Sequence, residues 1–162
     1  MPWILAKPVV DVSVKGLCVR PYPGHPRGCP NFNKRSTCPP KCATIDKIIN
    51  LDRAVYAIFN VFDFGGHVAK MRLAHPNWSG RQLQCCLYWQ PSARKMLRNE
   101  VKDFLNWNSG FDGIIVYTPE ALGVNITATM ASIGENLEWP PKTVTYQVAL
   151  AGYKNESNST IH

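Results

Sequence analysis

Between Gly16 and Ala43 the chain cannot run as a helix or a central strand, because Pro21, Pro23, Pro26, Pro30, Pro39 and Pro40 recur too closely. Each proline removes a backbone N–H and fixes φ, which breaks a helix and leaves a gap in a sheet ladder. A stretch of this length without regular structure is uncommon inside a compact domain unless something holds it. The same interval contains Cys18, Cys29, Cys38 and Cys42, four of the chain's 6 cysteines. A metal bound by these thiolates is the simplest clamp.

The spacing is Cys-x10-Cys-x8-Cys-x3-Cys. Thiolate sulfur suits zinc, copper(I) and iron–sulfur clusters alike, so residue type alone does not choose the metal. The pattern is neither a pair of zinc knuckles nor the regular ferredoxin run. Two of the cysteines precede proline, as Cys29-Pro30 and Cys38-Pro39-Pro40, which fixes the backbone beside the ligand and removes a polar donor. Ferredoxin-type runs also contain a Cys-Pro, and this favours an iron–sulfur cluster of 4Fe–4S type, with zinc as the alternative. Buried core thiols usually sit in apolar periodic segments, whereas these four sit among prolines, glycines and basic residues.

Charge follows the same boundary. No acidic residue lies between Asp11 and Asp46, while Lys15, Arg20, Arg27, Lys34, Arg35 and Lys41 supply most of the net charge of +7. Such a loop can neutralise phosphates of a nucleic acid, receive an anionic substrate or redox partner, or simply offset the charge of bound thiolates. The opening residues lack a basic n-region and a long apolar stretch, and no run elsewhere approaches a membrane span. We therefore expect a cytoplasmic protein with reduced thiols and no membrane partner.

The chain as a whole is ordinary globular sequence, 45% hydrophobic and 18% charged, long enough to build a core without a metal. Alternation over 3–15, with Val9, Val10, Val12 and Val14, predicts a strand. Ile45, Ile48 and Ile49 share one face of a short helix over 43–51. The continuous apolar run 54–62 predicts a buried central strand, followed by a helical piece over 65–75. Ser79-Gly80-Arg81-Gln82 reads as a capping box opening a helix through about Trp89, and Pro91 either kinks that helix or begins a new one at its first turn. Met96, Leu97, Val101, Phe104 and Leu105 form an apolar stripe at helical spacing. Further strands are expected at 113–117 and 144–151, with helical segments after Pro119 and over 125–134. The expected fold is α/β or α+β, one compact domain over 1–153 with a mixed sheet packed by helices, a long cysteine loop and a polar tail over 154–162.

The stretch from Cys29-Pro30-Asn31-Phe32 to Cys38-Pro39-Pro40 resembles the signature of a family of uncharacterised, predicted metal-binding proteins. Pro119-Glu120-Ala121-Leu122-Gly123-Val124-Asn125 loosely resembles that family's C-terminal motif, and the two segments occur in the family's order. Family members often carry an additional ferredoxin-like cysteine set between the motifs. Only Cys85-Cys86 stands there in this chain, so the resemblance implies a single metal site and no assigned reaction.

Cys18, Cys29, Cys38 and Cys42 are thus the expected ligands, with the catalytic residues unassigned. Four thiolates would close the centre; Cys29, Cys38 and Cys42 alone would leave one iron open. Cys85 and Cys86 lie in a predicted helix where successive side chains diverge by about 100°, so one is expected in the core and the other half-exposed, although one of them could replace Cys18. His25 is a candidate ligand or a solvated loop residue, while His67 and His75 are expected at the surface or at helix ends. Trp78, Tyr88, Trp89 and Trp107 are expected to be packing residues more than a base-stacking platform.

Overall fold

The computed structural model describes residues 1–22 and 24–156. Four strands, β1 (Trp3–Leu5), β2 (Val55–Phe62), β3 (Ile114–Val116) and β4 (Thr145–Gly152), form one sheet in the order β1-β2-β4-β3. Four α-helices accompany it: α1 (Phe64–Ala74), α2 (Gly80–Leu83), α3 (Cys86–Trp107) and α4 (Ile126–Ala131). The domain is α+β, within the class expected from the sequence.

The sheet is antiparallel throughout, not mixed. β2 and β3 run in the same direction and are joined through α3, but β4 lies between them and pairs antiparallel with both. The crossover that would have made a parallel pair is thereby split.

Successive residues of β2 and β4 serve two cores, as the pleat requires. Ile58, Ala149 and Ala151 face α3 and pack on Leu97, Val101 and Phe104. Val55, Ala57, Phe59, Val148 and Leu150 face the other way, toward Cys42, Ile45, Ile49, Leu122, Val124, Ile126 and Met130. The cysteine loop therefore borders the second core, across the sheet from α3's main contact face.

The buried residues of α3 are Cys86, Trp89, Ala93, Leu97, Val101 and Phe104, a single stripe at spacings of three and four. Met96 and Leu105, expected in that stripe, are 42% and 39% exposed, because each is about 100° round the helix from its buried neighbour. The capping box is formed: Ser79 N donates to Gln82 Oε1 at 2.9 Å and Gln82 N to Ser79 Oγ at 3.3 Å. It opens only the short α2, and α3 starts afresh with Cys85 in extended conformation as its N-cap. Pro91 lies inside α3.

The expected strand over 3–15 shrinks to Trp3–Leu5. Pro8 offers no N–H, and the Asp11 carboxylate accepts from Ser13 N at 3.0 Å and from Ser13 Oγ at 2.6 Å, turning the chain into a 3₁₀ helix over Val12–Val19. Likewise the helix expected over 43–51 is reduced to a 3₁₀ turn, Ile45–Lys47, although Ile45 and Ile49 are fully buried as their spacing implied. Ile49 instead bridges Lys154, and Asn50 N donates to Tyr153 O. The polar segment from Lys154 begins with these contacts; residues 157–162 lie outside the described residues.

Leu97 is 3% exposed at the centre of the α3–sheet contact. Leu97→Ala should destabilise the domain by about 2–5 kcal/mol in chemical denaturation, whereas Met96→Ala should cost about 0.5 kcal/mol or less. Equal losses would show that α3 is rotated from the packing described.

Candidate functional site

The proline-rich loop is held by short-range backbone bonds in place of regular structure. Cys18 is brought in by the 3₁₀ helix Val12–Val19, and Cys29 N donates to Cys18 O at 2.7 Å. Gly28 makes that approach feasible: its φ is 79°, and a Cβ there would lie 2.6 Å from the Cys18 carbonyl oxygen. Between the two cysteines, Tyr22 and His25 exchange backbone hydrogen bonds around Gly24, which has φ 90°, and their rings stand 4.7 Å apart.

The second half turns back on itself. Asn33, at φ 57°, donates its N–H to Pro39 O at 2.7 Å, while Cys38 N donates to Arg35 O and Cys42 N to Cys38 O. The loop's end is pinned to the body: the Cys42 thiol donates to Ala121 O at 2.8 Å, and the Lys15 ammonium donates to Cys42 O at 3.0 Å. Ala121 belongs to the 3₁₀ helix Pro119–Leu122, and nearby Asp11 N donates to Gly123 O while Val10 bridges Val124. The cysteine segment and the Pro119–Asn125 segment, separate motifs in the sequence, are thus in contact.

All six cysteines are free thiols. Cys18, Cys29 and Cys38 are half-buried and Cys42 is buried. Burial raises the Cys18 thiol above its ordinary value, and the neighbouring charges of Cys29, Cys38 and Cys42 raise it further. The four predicted residues therefore share one electrostatic neighbourhood. Among the described residues, however, no group of three or more His, Cys, Asp or Glu side chains is arranged to hold a metal ion. The donor chemistry fits a soft metal, and the Cys42 thiol is committed to the Ala121 carbonyl.

Cys85 and Cys86 depart from expectation, since both are buried, at 8% and 7% exposure. The break before α3 releases them from the divergence a continuous helix would impose. The Cys85 sulfur packs against Gly24 of the loop, where an added Cβ would come within 2.7 Å of it. Cys86 begins the buried stripe of α3, and its thiol is raised by burial and then by Cys85, with Cys29 also among its charged neighbours. Partial burial, then Cys29 and Cys86, push the Tyr22 hydroxyl up to about 12. Cys85 and Cys86 thus lie beside the part of the loop that carries Gly24 and Cys29.

His25 packs on Tyr22, and His75 stacks on Trp78 at 3.9 Å while its N–H closes the end of α1. His67 does not behave as a surface residue, because its Nε2 is buried without a hydrogen-bond partner among the described residues. Of the aromatic set, Trp89 is buried, packing on Phe62 and Phe64, and Trp107 is 79% exposed. Arg20, Arg27, Lys34, Arg35 and Lys41 all face solvent. No helix among the described residues is long and apolar enough to cross a membrane. Comparison with family models, curated proteins and solved structures finds no match, so the family resemblance stands on its motif residues alone.

Under native, metal-free, reducing conditions, alkylation followed by peptide mass spectrometry should label Cys18, Cys29 and Cys38 well ahead of Cys42, Cys85 and Cys86. Labelling of Cys42 as fast as Cys38 would contradict the thiol–carbonyl anchor.

Proposed function

We propose that this protein binds one metal centre, an iron–sulfur cluster of 4Fe–4S type, through the thiolates of Cys18, Cys29, Cys38 and Cys42, and uses it for redox or small-anion chemistry. The observation that carries this reading is that Cys29, Cys38 and Cys42, spread over a proline-rich loop, all lie close enough to Cys18 to raise its thiol. A loop free of regular structure ordinarily scatters such residues; here backbone bonds between Cys29 and Cys18, and between Cys42 and Cys38, draw them together.

Metal binding requires deprotonated thiols. Cys42 would give up its bond to Ala121 O, and Lys15, already bonded to the Cys42 carbonyl, would leave a cation beside the new thiolate. A cluster on four thiolates supplies electron transfer or structural support, and one on three supplies an open iron for a small anion. Arg20, Arg27, Lys34 and Arg35 would favour an anionic partner in either case. Reduced thiols suit a cytoplasmic setting.

Zinc is the second reading, favoured by the same donor set and by the exposed cations, which would give a structural module contacting nucleic acid with strong salt dependence. Anaerobic purification with iron, sulfide and zinc analysis separates the two. Wild-type protein should carry iron and sulfide, and Cys29→Ser, Cys38→Ser or Cys42→Ser should each abolish stoichiometric metal. Cys18→Ser should impair assembly as severely if the centre is closed, and retain a full cluster if it is open. Cys85→Ser and Cys86→Ser should leave the metal content intact. One zinc per chain and no sulfide would establish the second reading, and metal retained in all three loop variants would place the site elsewhere.

A further inference from the structure

No acidic residue lies between Asp63 and Glu100, while Lys70, Arg72, Arg81, Arg94, Lys95 and Arg98 all fall in that interval. Outside it and the acid-free cysteine loop, acidic residues outnumber basic ones, so the chain's charge is segregated. The fold joins the two basic stretches. Gly24 of the loop lies against the Cys85 sulfur, and Arg81 of α2 lines a cavity with Pro21, Tyr22, Gly24 and Pro26.

α3 carries the basic surface onward. With about 100° between successive residues, Arg94, Arg98, Lys102, Lys95 and Tyr88 follow one another across a single arc of about 120°, outside the buried stripe. All five are exposed. The two carboxylates of α3, Glu100 and Asp103, fall on its other flank.

At the Tyr88 edge the cations meet a stack of rings. Tyr88 packs on Trp78 at 4.8 Å, and Trp78 on His75 at 3.9 Å and 7°. Both end rings reach solvent, since His75 is exposed and Tyr88 is 50% exposed. Asp63 borders Tyr88 and Lys70, and its carboxylate is engaged in capping α1, accepting from Gly66 N at 2.8 Å. A cationic face that borders open ring faces can follow a strand's phosphates while its unpaired bases stack. A duplex hides its base faces, and an acidic protein would use the cations but not the stack.

We propose that the outer face of α3, together with the His75–Trp78–Tyr88 stack, binds single-stranded nucleic acid. The α3 cations take successive phosphates, and the end rings of the stack each offer a face to a base. This surface lies on the helices, and the inference does not rest on the metal centre.

Fluorescence anisotropy of a labelled oligothymidylate of about 12 nucleotides, titrated with the full chain as purified, tests it. Oligouridylate, a duplex of the same length and polyglutamate are the comparisons. Single strands should bind saturably, with log affinity falling against log salt at a slope of about −3, as four phosphate contacts imply. The tighter of the two oligonucleotides identifies the strand as DNA or RNA. Tyr88→Leu and His75→Ala, both at exposed positions that leave the core in place, should each weaken binding about tenfold. Replacing Lys95 and Arg98 together by glutamine should reduce the salt slope by about one. Absence of saturation, unchanged affinity in either ring variant, or duplex binding as tight as single-strand binding would overturn the proposal. Polyglutamate binding as tight as the oligonucleotides would overturn it too, and would assign the surface to an acidic protein.

Discussion

The eight-residue ladder between β2 and β4 is the element on which everything else depends. It pairs Val55 with Gly152 at one end and Phe62 with Thr145 at the other, and both of its faces are covered. Burying backbone on both sides is tolerable because β2 is paired by β1 as well as β4, and β4 by β3 as well as β2, so backbone groups on both edges of the ladder find partners. On one side Ala149 and Ala151 offer small surfaces on which α3 can lie close. On the other, Val148 and Leu150 meet the isoleucines and the 3₁₀ segment that anchor the cysteine loop. The loop thus has a rigid floor although it has no regular structure of its own.

That floor explains how so proline-rich a segment is confined. Pinning the loop at Cys42 to Ala121 O, at Lys15 to Cys42 O and at Asp11 to Gly123 O leaves short spans between anchors, and Gly28 lets Cys29 approach Cys18. Each anchor reduces the conformational entropy that a metal would otherwise have to remove. The core is complete without a metal, so in the reading proposed here the centre serves function more than folding.

The central strands, the start of α2 and the α3 stripe were legible because their signals are local: a continuous apolar run, a capping box, apolar residues at three and four. Pairing partners were not, since the insertion of β4 between β2 and β3 is decided by burial on two faces, far apart in sequence. The alternation through Val9, Val10, Val12 and Val14 was misleading because Asp11 and Ser13 form a local turn that outcompetes strand pairing. The four loop cysteines were legible from composition and spacing. The burial of Cys85 beside Gly24 was not, because it depends on a helix break one turn after Ser79 that no proline or glycine marks. The orphaned Nε2 of His67 left no sequence signal, as it arises from the packing of α1 on Phe62.

In the reading proposed here, one iron–sulfur centre forms on the four loop thiols. X-ray absorption at the iron edge of anaerobically purified wild-type protein tests it most directly. A cluster on these thiols gives a first shell of sulfur with an iron–iron vector behind it. A first shell of nitrogen and oxygen, or iron atoms with no iron neighbour, would contradict it.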